Sequence, residues 1–151
     1  MKFKIGELRH PEVVELLQEH HRDMLSLSPP ESVHALDLTA LEMPNITFIS
    51  VWIDNRLAGV GALKELENGH GEIKSMRTSK AFLRQGIAAS ILSFIIEQAT
   101  MRSYHSLSLE TGTMEAFKPA HKLYLSFGFT ECSPFGNYKV DPNSLFMTKV
   151  L

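Results

Sequence analysis

The residues best placed to do chemistry lie between Glu72 and Ile96, in the run EIKSMRTSKAFLRQGIAASILSFII. A strand-like segment ends, a short polar loop follows, and Arg84-Gln85-Gly86-Ile87-Ala88-Ala89 opens a helical pattern. The first N–H groups of a helix have no internal partner and the dipole is positive there. A pyrophosphate can therefore accept their hydrogen bonds. Gly86 allows close backbone approach, small Ala88 keeps the way clear, and Arg84 could add a charge-assisted contact. The plainer reading is a loop closed by a convenient glycine. Two other phosphate motifs are absent. No G-x-x-x-x-G-K-[ST] occurs, and Gly59-Val60-Gly61 has Lys64 where a dinucleotide fingerprint needs its third glycine, with no helix following. Those two glycines read as strand positions beside a bulge.

Other reactive side chains are less telling. Glu110 ends a strand in Glu-Thr-Gly, where it could bind an amine, act as a base, or tie the turn. His20-His21 does not fit His-Glu-x-x-His spacing and reads as part of a helix face, so no metal is expected. Cys132 has no His or Asp pattern near it and reads as a core or surface thiol. Asn45-Ile46-Thr47 matches a glycosylation sequon but lies in an expected strand.

Positioning these residues requires a mixture of strands and helices. Lys2–Leu8 alternates as a strand, and Pro11 opens a helix whose apolar residues recur to about residue 25, before Ser28-Pro29-Pro30 breaks it. A weaker helix is expected over 31–43. Strands follow at 46–53, 56–63 and 71–77, separated by Asp54-Asn55 and Asn68-Gly69 turns. From Gly86 the period becomes helical, with Ile87, Ile91, Leu92, Ile95 and Ala99 on one face to about Arg102. A strand at 105–109, a helix opened by Pro119 and closed at Gly128, and strands at 129–132 and 145–150 complete the order βααβββαβαββ. No repeat or linker divides the chain, so residues 1–151 read as one domain.

Composition bounds the function. The 151 residues carry 15 Lys plus Arg against 17 Asp plus Glu, a formal charge of −2, which lacks the basic field of a general nucleic-acid binder. A single cysteine excludes an internal disulfide framework. No apolar run approaches the roughly 18 residues of a spanning helix. The opening MKFKIGELRHPE carries charges where a signal peptide is apolar, so the expected location is cytoplasmic.

The stretch around Gly86 resembles motif A of the GNAT superfamily, the acetyl-CoA-dependent N-acetyltransferases. The family pattern is Gln/Arg-x-x-Gly-x-Gly/Ala, and Gly86 and Ala88 fit its last two fixed places, while Leu83 departs from the first. A second segment, Phe117-x-x-Ala120-x-x-Leu123-Tyr124-x-x-x-Gly128-Phe129, fits a further family pattern except at Phe117, where Asn is frequent. The runs GEIKSMRT, LSLETGTMEAFKPAHKLY and DPNSLFMTK look like a subgroup of small bacterial members.

The resemblance implies an α+β GNAT fold, with a mixed, mostly antiparallel sheet flanked by helices and splayed between strands four and five. It implies acetyl transfer from acetyl-CoA to a primary amine. Backbone groups near Met76 and Arg77 would hold the pantetheine arm, and residues 84–89 (Arg84, Gln85, Gly86, Ile87, Ala88, Ala89) the pyrophosphate. It gives Tyr124 the place of a tyrosine beside the cofactor sulfur, and Glu72 that of a general base. His34, in SPPESVHALDL, falls in the region that overhangs the acceptor, and Glu110 is a further substrate-binding candidate. The expected acceptor is a small-molecule amine. A protein or peptide amine, or a non-catalytic CoA-binding module, is the alternative. The only macromolecular partner entertained is a second copy in a homodimer, with neither nucleic acid nor membrane.

Overall fold

The structure, a computed structural model, describes residues 1–30 and 38–151. Seven strands form one sheet: β1 (Lys2–Ile5), β2 (Ile46–Ile53), β3 (Arg56–Glu65), β4 (His70–Thr78), β5 (Ser106–Gly112), β6 (Thr130–Cys132) and β7 (Ser144–Val150). Their spatial order is β1-β2-β3-β4-β5-β7-β6. Every neighbouring pair is antiparallel except β4 and β5, which run parallel because helix α3 (Ile87–Met101) connects them. Helices α1 (Pro11–Leu27) and α2 (Leu38–Leu41) precede β2, and α4 (Lys118–Ser126) follows β5. This is the α+β architecture expected from the sequence.

Local chemistry explains most boundaries. Pro11 begins α1, and the His10 imidazole accepts from the Glu12 amide at 3.2 Å. The first strand stops at Ile5 rather than Leu8 because Gly6 and Glu7 take φ of 105° and 75°. Asp54 and Asn55 both adopt left-handed φ, 50° and 64°, the two-residue turn whose twist suits the β2–β3 hairpin. The helix expected over 31–43 ends at Leu41, with residues 31–37 outside those described.

Alternation along β2 sends Ile49 and Val51 to one face, under α3, and Phe48 and Trp52 to the other, under α1 and α2. Gly59 and Gly61 let α3 sit directly on the sheet. A Cβ at Gly61 would lie 2.7 Å from Ile91 Cγ2 and 3.0 Å from Met76 Sδ, and one at Gly59 2.9 Å from Ile87 Cγ2. The reading of this pair as strand glycines holds, and their physical reason is the close approach of the helix. Gly61 also stands where the β3–β4 register shifts. Val60 pairs with Arg77 and Ala62 with Lys74, so Ser75 and Met76 together face one residue, with Ser75 at φ 56°.

Ile91 is fully buried and cannot withdraw, so Gly61→Val is expected to destabilise the fold by about 1–3 kcal/mol through overpacking. Urea unfolding measures this; an unchanged midpoint would mean that α3 does not need the glycine seat.

Candidate active site

The parallel ladder between β4 and β5 joins His70 to Ser106 and ends with Ile73 opposite Leu109. Beyond that point β4 continues beside β3 to Thr78, and β5 continues beside β7 to Gly112. The edge of β4 facing β5 therefore has no ladder partner from Lys74 onward, and a cleft of about 500 Å³ opens between the strands. Glu72, Met76, Glu110 and Tyr124 all line it, together with His20 and Met24 of α1.

At one end of the cleft the chain turns into α3. Arg84 and Gly86 both take left-handed φ, 61° and 77°, and Gly86 is the residue from which the helix starts. Residues 83–86 are exposed, no acidic side chain lies in the first turn, and a Cβ at Gly86 would meet nothing within 4 Å. The first helical bond runs from the Ser90 amide to the Gly86 carbonyl, leaving the earlier N–H groups open to an anion. Ile87 is buried among the sheet contacts of α3, whereas Ala88 and Ala89 are half-buried beside the open turn.

Glu72 is 3% exposed, and its Oε2 accepts from Lys74 Nζ at 3.0 Å and from the Tyr138 hydroxyl at 2.5 Å. Lys74 also donates to the Tyr138 oxygen at 2.8 Å, closing a triangle. Burial and then the Glu72 charge push the Tyr138 phenol well above its ordinary value, so it stays protonated and donates. Ring contacts with Phe135 and Phe146, at 5.2 and 5.5 Å, hold Tyr138 over the sheet. Tyr138 had no place in the sequence reading. Its only local signal was Phe135 and Tyr138 three apart in an otherwise polar connection.

Tyr124 is 7% exposed, its ring edge-on to Phe129 at 5.9 Å. Burial, helped by the Glu110 charge, pushes its phenol up to about 12. Glu110 sits just past the last β4–β5 pair, opposite Phe146 of β7. Phe117, which replaces the family's frequent Asn, packs its ring against Gly112, where a Cβ would lie 2.3 Å from the ring.

Arg77 departs from a purely backbone role. Its guanidinium ties β4 to α1 by bonding Glu19 at 3.2 Å and Asp23. His20, read as an ordinary helix residue, lines the cleft instead, and its Nδ1 is buried without a hydrogen-bond partner among the described residues. Thus Glu72, Met76, Glu110 and Tyr124 converge, the 84–89 turn adjoins them, and His34 lies outside the described residues. Among the described residues no group of three His, Cys, Asp or Glu is arranged to hold a metal ion.

The profile of the acetyltransferase (GNAT) family matches residues 11–129. The chain is 57% identical over 151 residues, covering 100% of both chains, to the uncharacterized N-acetyltransferase YsnE of Bacillus subtilis (strain 168). It is 50% identical over 149 residues, 99% of this chain and 94% of the other, to the uncharacterized N-acetyltransferase YedL of Escherichia coli (strain K12). The crystal structure of a Bacillus subtilis acetyltransferase in complex with CoA superposes with a TM-score of 0.72 at 18% identity, covering 99% of this chain and 98% of that one. At that identity the likeness concerns the fold.

Burial, with the Arg77 charge adding to it, lowers the His20 imidazole to about 4. Between that value and its unfolded value of 6.5 the unfolded chain binds more protons, so stability falls as pH falls through this window. Relative to His20→Leu, the native chain is expected to lose about 2 kcal/mol of stability from pH 7 to pH 5. Urea unfolding at the two pH values checks this; parallel pH slopes would show that His20 is not buried neutral.

Proposed function

The chain belongs to the GNAT family of acetyltransferases, and we propose that it moves acetyl from acetyl-CoA to the primary amine of a small molecule by direct attack. The observation that carries this reading is the wedge between β4 and β5, which brings an unpaired strand edge and two carboxylates into one cleft, with Leu83, just before the open helix start, at its lining. The residues present suit the cofactor. An extended amide-bearing arm can pair with the β4 edge near Met76 and Arg77 as an added strand does. The amides from Gln85 to Ala89, with Arg84 beside them, suit a diphosphate, and the empty space over Gly86 leaves it room. When bound, acetyl-CoA supplies a thioester whose carbonyl carbon the amine attacks as the carbon–sulfur bond breaks.

The side chains then have two tasks. An alkylamine near pKa 10.4 must lose a proton before attack. Glu72 serves as the acceptor in this reading: Lys74 and Tyr138 engage Oε2, leaving Oε1 for the proton or for a water that carries it. Glu110, on the opposite strand, sits where it can hold the incoming ammonium. Tyr124 acts on the leaving sulfur. A phenol near 12 does not surrender its proton to a thiolate whose thiol titrates near 8.5, so Tyr124 stabilises the thiolate by donating a hydrogen bond. Most of the rate comes from holding the two reactants together.

Two measurements test this. With acetyl-CoA and a panel of small amines, Tyr124→Phe is expected to keep CoA affinity and lose about 10- to 100-fold in turnover, the worth of one hydrogen bond to a charged group. Full activity in the variant would reduce Tyr124 to packing, and turnover on peptides alone would move the acceptor to protein amines. CoA binding without thiol release for any amine would leave a binding module. Separately, Gly86→Asp is expected to weaken CoA at least tenfold, about 1.4 kcal/mol. Gly86→Asn, similar in shape and tolerant of the left-handed backbone, should weaken it less. Calorimetry giving equal affinities for all three proteins would refute the cradle.

A further inference from the structure

A second cleft, of about 570 Å³, adjoins the first at Glu72, Lys74 and Tyr138. The three residues of the triangle line both clefts, so the two meet there. The second cleft is bounded by Lys64 of β3, by Leu66 just past its end, and by residues 136–141 of the β6–β7 connection. Its charge is uneven. Lys74 is engaged with Glu72, and the Asp141 carboxylate accepts from the Asn143 amide at 2.8 Å. Lys64 and Lys139 make no ion pair among the described residues. Lys64 is placed by the ladder itself, directly across from Glu72 in the β3–β4 register, so both side chains leave the same face of the sheet about 5 Å apart at their Cβ atoms.

We propose that the acceptor enters through this second cleft and carries an anionic group, a carboxylate in the first instance, which Lys64 and Lys139 bind while its amine reaches Glu72. The proposal rests on the acetyl-transfer reading above and names its acceptor class: an amino acid or a similar short amino-carboxylate. Two physical arguments favour that class over a simple alkylamine. Lys64, Lys74 and Lys139 line the cleft against Glu72 and Asp141, a balance of +1 that disfavours a bare ammonium, whereas a zwitterion brings its own counter-charge. The span is short, because Lys64 and Glu72 are cross-strand neighbours, which suits an amine and a carboxylate separated by one to a few carbons.

The test uses the full chain saturated with acetyl-CoA and matched acceptors that differ only in the anionic group: phenylalanine against phenylalaninamide, leucine against leucinamide, and β-alanine against β-alaninamide. Thiol release gives kcat and KM for each. In at least one pair the carboxylate member is expected to have a kcat/KM at least tenfold higher. In the Lys64→Met/Lys139→Met double variant, which keeps the aliphatic stems, that ratio should fall to within about twofold of one, through KM. CoA affinity measured on the same variant reports that it is folded, and the single variants stand in if the double one is not. Amides equal to or better than the acids, or a preference that survives the double variant, would overturn the proposal. Turnover on uncharged amines or peptides but on none of these acids overturns it too, and leaves acetyl transfer standing. Absence of thiol release with every amine, despite CoA binding, sinks the transfer reading itself, and the acceptor class falls with it.

Discussion

Everything at the site depends on a ladder that stops. β5 is held along its full length by β7, from Ser106 opposite Val150 to Gly112 opposite Ser144. β4 is held by β3 almost to its end, but with a shifted register opposite Gly61. Each strand is therefore committed to an outer neighbour, and the parallel contact between them survives only up to Ile73 and Leu109. Unpaired backbone groups at a strand edge are costly when dry and useful when a ligand can pair with them. The bulge at Ser75 and the seating of α3 on Gly59 and Gly61 keep the two strands apart while fixing the helix start at the mouth of the gap. Packing on the far side of the sheet thus determines where an anion and an extended arm can bind.

The wall of the site carries an energetic cost that packing does not require. Glu72 and Lys74 have side chains only 4% and 9% exposed, and removing two charges from water costs several kcal/mol that their attraction offsets only in good geometry. Tyr138 supplies that geometry with a third hydrogen bond, and Phe135 and Phe146 hold Tyr138 in place. An apolar trio of similar volume would stabilise this part of the sheet at least as well. A charged triangle at the boundary of two clefts is what a proton acceptor needs: a carboxylate whose orientation is fixed at one oxygen and whose other oxygen remains available.

Much of this was legible in the sequence. The helix from Ile87 and the strand from Ile46 to Ile53 have long, uniform periods, and the turn residues Asp54-Asn55 and Asn68-Gly69 mark their hairpins. Glu72, Met76 and Tyr124 stand out through two family-like segments in the right order, whereas Glu110 is legible only as a candidate at a strand end. What was not legible is side-chain pairing across distance. Tyr138 meets Glu72 from 66 residues away, on a connection whose residue types announce only a turn. His20 reads from the sequence only as part of a helix face; His20, Met24 and Leu27 share one side of α1, and that side borders the cleft. Local periodicity shows which residues share a face; it does not show what covers that face. Arg77 was read for its backbone alone, and its tie to Glu19 and Asp23, four apart on α1, needs the packed helix to be seen.

Tyr124 and Tyr138 both line the cleft between β4 and β5, and the same physics prepares both. Tyr124 is raised by burial and by Glu110; Tyr138 by burial and by Glu72. Each is thereby kept as a neutral donor at any pH where an amine can be deprotonated, and neither competes for the proton that the amine must lose. Their tasks differ because their neighbours differ. Tyr138 spends its hydrogen on Glu72, steadying the carboxylate. Tyr124 comes from α4, and in the proposed reading its pairing partner is the charge that develops on the leaving sulfur. A site that held either phenol as phenolate would place a second anion beside a carboxylate and beside that departing charge, raising the barrier at both ends of the transfer. Under the proposed transfer, raising the two phenols by burial separates the group that takes the proton from the groups that keep theirs.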